Sequence, residues 1–184
     1  MLQSLVKEVL TDHLALLSDL ATQYRRDTPS WPATAERWLE EAEKRLAQFR
    51  FTEAGLIAAA RGGIGKATDI MKNTEQATRR QVERAGRAAT WEAVQEAARL
   101  LEQRAGQAEE KLRAFEDKLC EGLTAYFLQH PTPGEQPQTP EEVWHGLKLW
   151  ESTKPLSLYL EASLAQHDRI YLLRRILERF QVNE

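Results

Sequence analysis

A single cysteine, Cys120, stands among 184 residues, which excludes an internal disulfide framework and fits a reducing compartment, where a lone thiol stays reduced. The location expected on that ground is cytoplasmic. Long apolar runs are also missing. Nothing approaches the ~20 apolar residues that span a bilayer, and Lys7, Glu8 and Asp12 stand where a secretory signal would hold its apolar core. Neither export nor membrane contact is expected. A strong charge of one sign is absent too, the net charge being -3, which argues against wholesale nucleic-acid binding. Glycine and proline number only 9 and 7 and cluster in a few places, so long stretches run without a helix breaker. No strand-like alternation and no internal repeat is visible.

What remains is rich in the helix formers Ala, Leu, Glu, Gln, Arg and Lys. Leu2, Leu5, Val6, Val9, Leu10, His13, Leu16, Leu17, Leu20 and Tyr24 follow the helical period and predict one amphipathic helix over 2–26. Pro29 and Pro32 bias the residues before them away from helical angles. A second helix is predicted over 33–50, with Trp38, Leu39, Ala42, Leu46 and Phe49 on one face, forming an antiparallel hairpin with the first. From 64 to 128 helical composition is nearly continuous. One helix of that length would run on the order of 95 Å, long for a compact domain, so a split or bend is expected near Gly86, with Thr90 as the following N-cap.

The most regular part of that stretch is a seam. Trp91, Val94, Ala98, Leu101, Ala105, Ala108, Leu112, Phe115 and Leu119 recur at alternating steps of three and four, the spacing of a coiled coil. Such a seam needs a covering helix. Residues 130–140, HPTPGEQPQTP, hold four prolines and one glycine and read as a linker. Beyond it, Thr139, Pro140 and Glu142 form a capping-box signature. The helix it starts carries Val143, Trp144, Leu147 and Trp150 on its apolar face, and one final helix is predicted after Pro155, reaching about residue 181.

Three constellations bear on chemistry. The run Arg61-Gly62-Gly63-Ile64-Gly65-Lys66-Ala67-Thr68 resembles the deviant phosphate-binding loop of ParA and MinD-type ATPases. In that family backbone amides cradle phosphate oxygens, so the resemblance implies a phosphate contact from Lys66. Position 67, where the family holds magnesium with a hydroxyl, is Ala. By composition alone the same glycines mark a break or kink between helices, each lowering helical stability by about 1 kcal/mol. The second constellation is a basic stripe. Lys66, Lys72, Arg79, Arg80, Arg84 and Arg87 fall within an arc of about 140° on a helix, and residues 61–87 hold seven basic against three acidic residues (Asp69, Glu75, Glu83). It reads either as a solvated face or as a track for a phosphate backbone, although no aromatic is interleaved to stack bases.

The third is the pair Glu142 and His145, spaced i, i+3 as in carboxylate-bridged metal bundles, but without the second copy such sites require. No metal and no cofactor is expected. His13 falls on an apolar helix face, His130 and His167 lie near helix or linker ends, and Cys120 follows a seam residue as a buried structural thiol would.

These readings predict an all-α helical bundle with a long central helix or helical hairpin and a C-terminal helical pair, divided as 1–129, 130–140 and 141–184. No catalytic signature is present. The function expected is that of a non-catalytic interaction protein, an adaptor or subunit of a larger intracellular assembly. It would self-associate or hold a protein partner through Trp91, Val94, Leu101, Leu112 and Phe115 of the seam, or through Trp144, Leu147 and Trp150. The alternative is a small nucleic-acid-binding subunit using the basic stripe.

Overall fold

In the computed structural model, which describes residues 2–73, 78–129 and 139–182, the protein is all-α. Among the described residues there are eight helices and no strand: α1 (Gln3–Ala15), α2 (Leu17–Arg25), α3 (Trp31–Gln48), α4 (Glu53–Lys72), α5 (Arg79–Gln129), α6 (Pro140–Leu149), α7 (Lys154–Ser163) and α8 (Gln166–Val182). Packing gathers them into two units, Val6–Gly106 and Met1–Leu5 with Gln107–Glu184. The sequence reading divides the chain instead at 130–140, a stretch that lies, apart from Thr139 and Pro140, outside the described residues.

In the unit Val6–Gly106, α1 and α2 run antiparallel to α3. The Trp38 indole N–H donates to His13 O (3.3 Å) and the Trp31 indole N–H to Leu20 O (3.0 Å), so rising numbers on one side meet falling numbers on the other. The predicted hairpin is therefore present. Its first arm is interrupted at Leu16, where Leu16 N–H bonds to His13 O (3.3 Å) in a tightened turn. His13 O also accepts the Trp38 indole, and a side chain entering the helical ladder is a known cause of such breaks.

α2 and α3 both end in Schellman motifs. At the end of α3, Phe51 N–H donates to Leu46 O and Arg50 N–H to Ala47 O, both at 2.9 Å. At the end of α2 the corresponding bonds are Thr28 N–H to Gln23 O (3.1 Å) and Asp27 N–H to Tyr24 O (3.2 Å). The left-handed position that glycine normally fills is held by Arg50 (φ 59°) in one and Asp27 (φ 54°) in the other. Between α3 and α4, which pack along each other, this turn reverses the chain in a few residues.

The other unit closes on Leu112, Leu119 and Leu123 of α5, Val143 and Leu147 of α6, Leu160 of α7, and Leu172, Leu173 and Ile176 of α8. The capping box of α6 is formed as its sequence predicts. Glu142 N–H donates to the Thr139 hydroxyl (3.2 Å) and Thr139 N–H to the Glu142 carboxylate (3.0 Å). In the same unit α8 caps α1, with buried Asp168 accepting from Gln3 N–H (2.9 Å), Ser4 N–H (3.0 Å) and the Ser4 hydroxyl (2.5 Å).

Several expectations are corrected. Gly62 to Lys66 form neither loop nor kink but the interior of α4. Their amides belong to the helical ladder and cannot cradle phosphate as the family's loop does. Gly86 and Thr90 lie inside α5, the Thr90 hydroxyl bonding back to Gly86 O (2.8 Å) instead of capping a new helix. α4 ends at Lys72 and α5 begins at Arg79. The C-terminal pair is three helices, because Leu164 turns extended (φ -125°, ψ 141°) and is buried in the core.

Two outcomes follow. Arg50 is exposed and held in a conformation costing about 1–2 kcal/mol for a side chain with a Cβ, of which glycine's own entropy returns about half. Arg50→Gly should therefore raise unfolding stability by up to about 1 kcal/mol, seen as a higher urea midpoint at unchanged slope. His13 is 2% exposed, its Nε2–H donating to Trp38 O (3.0 Å), and burial holds its imidazole below the ordinary 6.5. The unfolded chain then binds the proton that the folded one refuses. The His13 contribution is complete above pH 6.5 and is lost as the solution becomes more acidic, at up to about 1.4 kcal/mol per pH unit. Urea midpoints between pH 7 and 5.5 should fall for the wild type and fall less steeply for His13→Gln.

Candidate functional site

A wide concavity lies in the unit Val6–Gly106. It is an open groove of about 2080 Å³, walled by the C-terminal half of α4, the first turns of α5 and the corner between α2 and α3. Small-molecule sites run to roughly 300–1,000 Å³, so the groove has the size for a polymer segment.

Glycine determines how its walls meet. At the crossing of α4 and α5, a Cβ on Gly86 would sit 3.3 Å from the Thr68 hydroxyl oxygen, so glycine there allows the helices to approach. Gly62 and Gly65 line the opening differently, since a Cβ at either would meet no atom within 4 Å. Internal packing gives no reason for glycine at those two positions, and each costs α4 about 1 kcal/mol of helical stability.

Seven basic side chains line the groove against three acidic ones. They are not equally available. Arg61 pairs with Glu43 (2.7 Å), Lys72 with Asp69 (3.3 Å) and Arg79 with Glu83 (2.9 Å). Arg87 is committed to the end of α2, where it donates to Tyr24 O (2.9 Å) and Thr28 O (3.4 Å) and meets the Asp27 carboxylate at 3.1 Å. Its guanidinium also lies over the Tyr24 and Trp31 rings, 5.3 and 4.8 Å from their centroids. Arg87 is thus a helix cap and an aromatic-stacked strut, leaving its charge little exposed to a ligand. Arg25, Arg80 and Arg84 are exposed and take no carboxylate partner among the described residues, and the same holds for Lys66 nearby on α4.

The seam residues are placed otherwise than a docking surface requires. Val94 and Leu101 are fully buried in one unit and Leu112 in the other, so their partners lie within the chain. Trp91 is half-buried and stacks on Tyr24 (4.7 Å, 9°). Phe115 packs near Tyr159, Trp144 lies under the Arg169 guanidinium (5.0 Å), Trp150 meets the Tyr126 ring edge-on (5.2 Å), and Leu147 is buried. As folded, none of the eight stands out as an exposed anchor.

Ser4, His167 and Asp168 form a constellation that sequence separation hid. The Ser4 hydroxyl is 2.5 Å from Asp168 and 3.0 Å from His167 Nδ1. Ser4 is fully buried, and Asp168 also accepts two α1 amides, so this trio caps a helix; a nucleophile would have to be open to its substrate. Cys120 is half-buried, with its thiol pushed up by burial and then by Glu116. Among the described residues, no three His, Cys, Asp or Glu side chains converge to hold a metal. Comparison with known protein families, curated proteins and solved structures finds no match for this chain.

Arg25, Arg61 and Gly86 are groove residues that periodicity did not connect with the stripe. They come from three elements; Arg61, next to Gly62, and Gly86, read as a bend, carried local signals, and Arg25 carried none. The capping role of Arg87 can be measured. Lysine keeps the charge but cannot reproduce a guanidinium fork that meets two carbonyls and a carboxylate. Arg87→Lys should lower stability by about 1–2 kcal/mol, read as a shift of the urea midpoint.

Proposed function

We propose that the protein is a non-catalytic helical interaction protein, an adaptor or regulatory subunit of a larger assembly, and that its contact surface is the groove between α4 and the start of α5. The observation that carries this reading is the pair Gly62 and Gly65. Both weaken α4, both line the opening, and a Cβ at either would meet no atom within 4 Å among the described residues. Glycine at such positions lets another backbone come close. The groove's cationic balance adds electrostatic attraction for a partner of opposite sign.

The second reading, a nucleic-acid contact through the stripe, is supported by Lys66, Arg80 and Arg84, which are exposed and unpaired among the described residues. It has less support than the seven-residue count implies, because Arg87, Arg79 and Lys72 already have partners.

The glycines allow a test in which stability and function move in opposite directions. Leucine at both positions should raise stability by roughly 1–2 kcal/mol through helix propensity alone, while its side chains fill the groove. The double variant Gly62→Leu/Gly65→Leu is therefore expected to unfold at higher urea. In cross-linking and affinity capture of the intact protein from its own cells, it should lose the partners that the wild type retains. Equal retention would remove the groove as the contact surface.

A further inference from the structure

We infer that the groove takes an acidic amphipathic helix of a protein partner, seated with its small and apolar face on the glycine-lined wall and its carboxylates on Arg80 and Arg84. This rests on the reading of the groove as the contact surface and adds the chemistry of the occupant.

Three features of the groove select that occupant. The first is its lining. Ile64 and Gly65 of α4 and Val82 of α5 provide apolar or side-chain-free surface. The hydroxyls of Thr68 and Thr90 are turned back onto Ile64 O (2.9 Å) and Gly86 O (2.8 Å). A polar backbone laid there would find few donors, whereas the apolar face of a helix would lose water from both surfaces.

The second is the spacing of the free charge. Arg80 and Arg84 stand one helical turn apart on α5, and side chains at i and i+4 are separated by about 6 Å. Carboxylates one turn apart on a partner helix repeat that spacing, so each guanidinium can meet one acid along the rim. Arg61, Lys72, Arg79 and Arg87 already have carboxylates or carbonyls of their own. On α5 the demand for anionic partners therefore falls on Arg80 and Arg84, with Arg25 at the end of α2 as the other exposed cation of the groove.

The third feature separates the helix from a nucleic acid. Single strands bind by stacking bases on exposed aromatics, and the aromatic in this groove, Tyr24, is covered by Trp91 at 4.7 Å and by the Arg87 guanidinium at 5.3 Å. A phosphate backbone would have Arg80 and Arg84 to neutralise it but nothing here to stack its bases.

The test uses the full chain and a labelled synthetic peptide of about 20 residues, some 30 Å of helix, with Leu and Ala on one face and Glu pairs at i, i+4 along its edge. Controls are the same composition scrambled to destroy the helical period, a Glu→Gln version, and a single-stranded DNA oligonucleotide. Anisotropy titrations should give saturable binding of the acidic helix that weakens with salt and is at least tenfold weaker for the scrambled and Gln peptides. Arg80→Glu/Arg84→Glu should reduce the affinity at least tenfold. Both side chains are exposed and unpaired among the described residues, so this variant should keep the wild-type urea midpoint; Arg80→Gln/Arg84→Gln, with an intermediate loss, guards against effects of reversed charge on folding.

Absence of binding, equal affinity for the scrambled peptide, or tighter binding of the oligonucleotide with the same dependence on Arg80 and Arg84 would each overturn the inference. If cellular partners are lost with Gly62→Leu/Gly65→Leu but kept with Arg80→Glu/Arg84→Glu, the groove remains the contact surface and the acidic helix is refuted. If they survive both, the underlying reading falls as well.

Discussion

A helix of 51 residues with an apolar stripe along it must have that stripe covered, and in each of the two units the stripe's residues enter the buried core. Within Val6–Gly106 the stripe contributes Val94, Ala97, Ala98 and Leu101 to the interior, with Trp91 stacked on Tyr24 and Arg104 paired with Glu53 at the start of α4 (2.5 Å). Within the unit that includes Gln107–Glu184, Leu112, Leu119 and Leu123 join α6, α7 and α8 in one core, and Arg175 of α8 grips Glu109 of α5 with two bonds (2.8 and 3.2 Å). Burying these side chains removes them from water at roughly 25 cal/mol per Å². That gain is available inside the chain, so no outside partner is needed to satisfy the seam.

Once the seam is internal, the surface left for recognition is defined by charge and by glycine. Helix ends influence which charges are free. α2 stops with a non-glycine residue in the left-handed position, and Arg87 holds that end by its carbonyls and by Asp27. A cation used this way lies in the groove without being offered to a ligand. Neighbouring pairs such as Arg79 with Glu83 reduce the free charge further, and Arg80 and Arg84 are what remains on α5. Counting basic residues along a helix therefore overstates how much of the stripe can meet an anion.

The helical character of the chain was legible from spacing, because amphipathic period and capping signals act over a few residues. The Thr139–Glu142 box and the Trp38 face of α3 are examples. The breaks at Leu16 and Leu164 were not legible. Neither has a local breaker, and the first coincides with a carbonyl taken by an indole twenty-five positions away. The opposite error arose at Gly62 to Gly65, where residues of low helical propensity sit in an unbroken helix because α3 packs along α4 and offsets the deficit. The groove was half legible. The sequence gathered its cations between 61 and 87, but the one helical arc it drew them on is divided between α4 and α5, and the groove's depth and the pairings of Arg61 and Arg87 depend on residues remote in the chain.

By itself, then, the sequence determined that this protein is helical, that its longest segment carries a stripe needing cover, and that basic residues gather between 61 and 87, because all three properties repeat at the helical period. Only the tertiary structure decided that the stripe is covered from within, that Gly62 to Lys66 are a helix facing open space, and that Arg87 closes α2 while Arg80 and Arg84 keep no carboxylate partner among the described residues. Those outcomes depend on which distant surfaces meet, and local period carries no information about them.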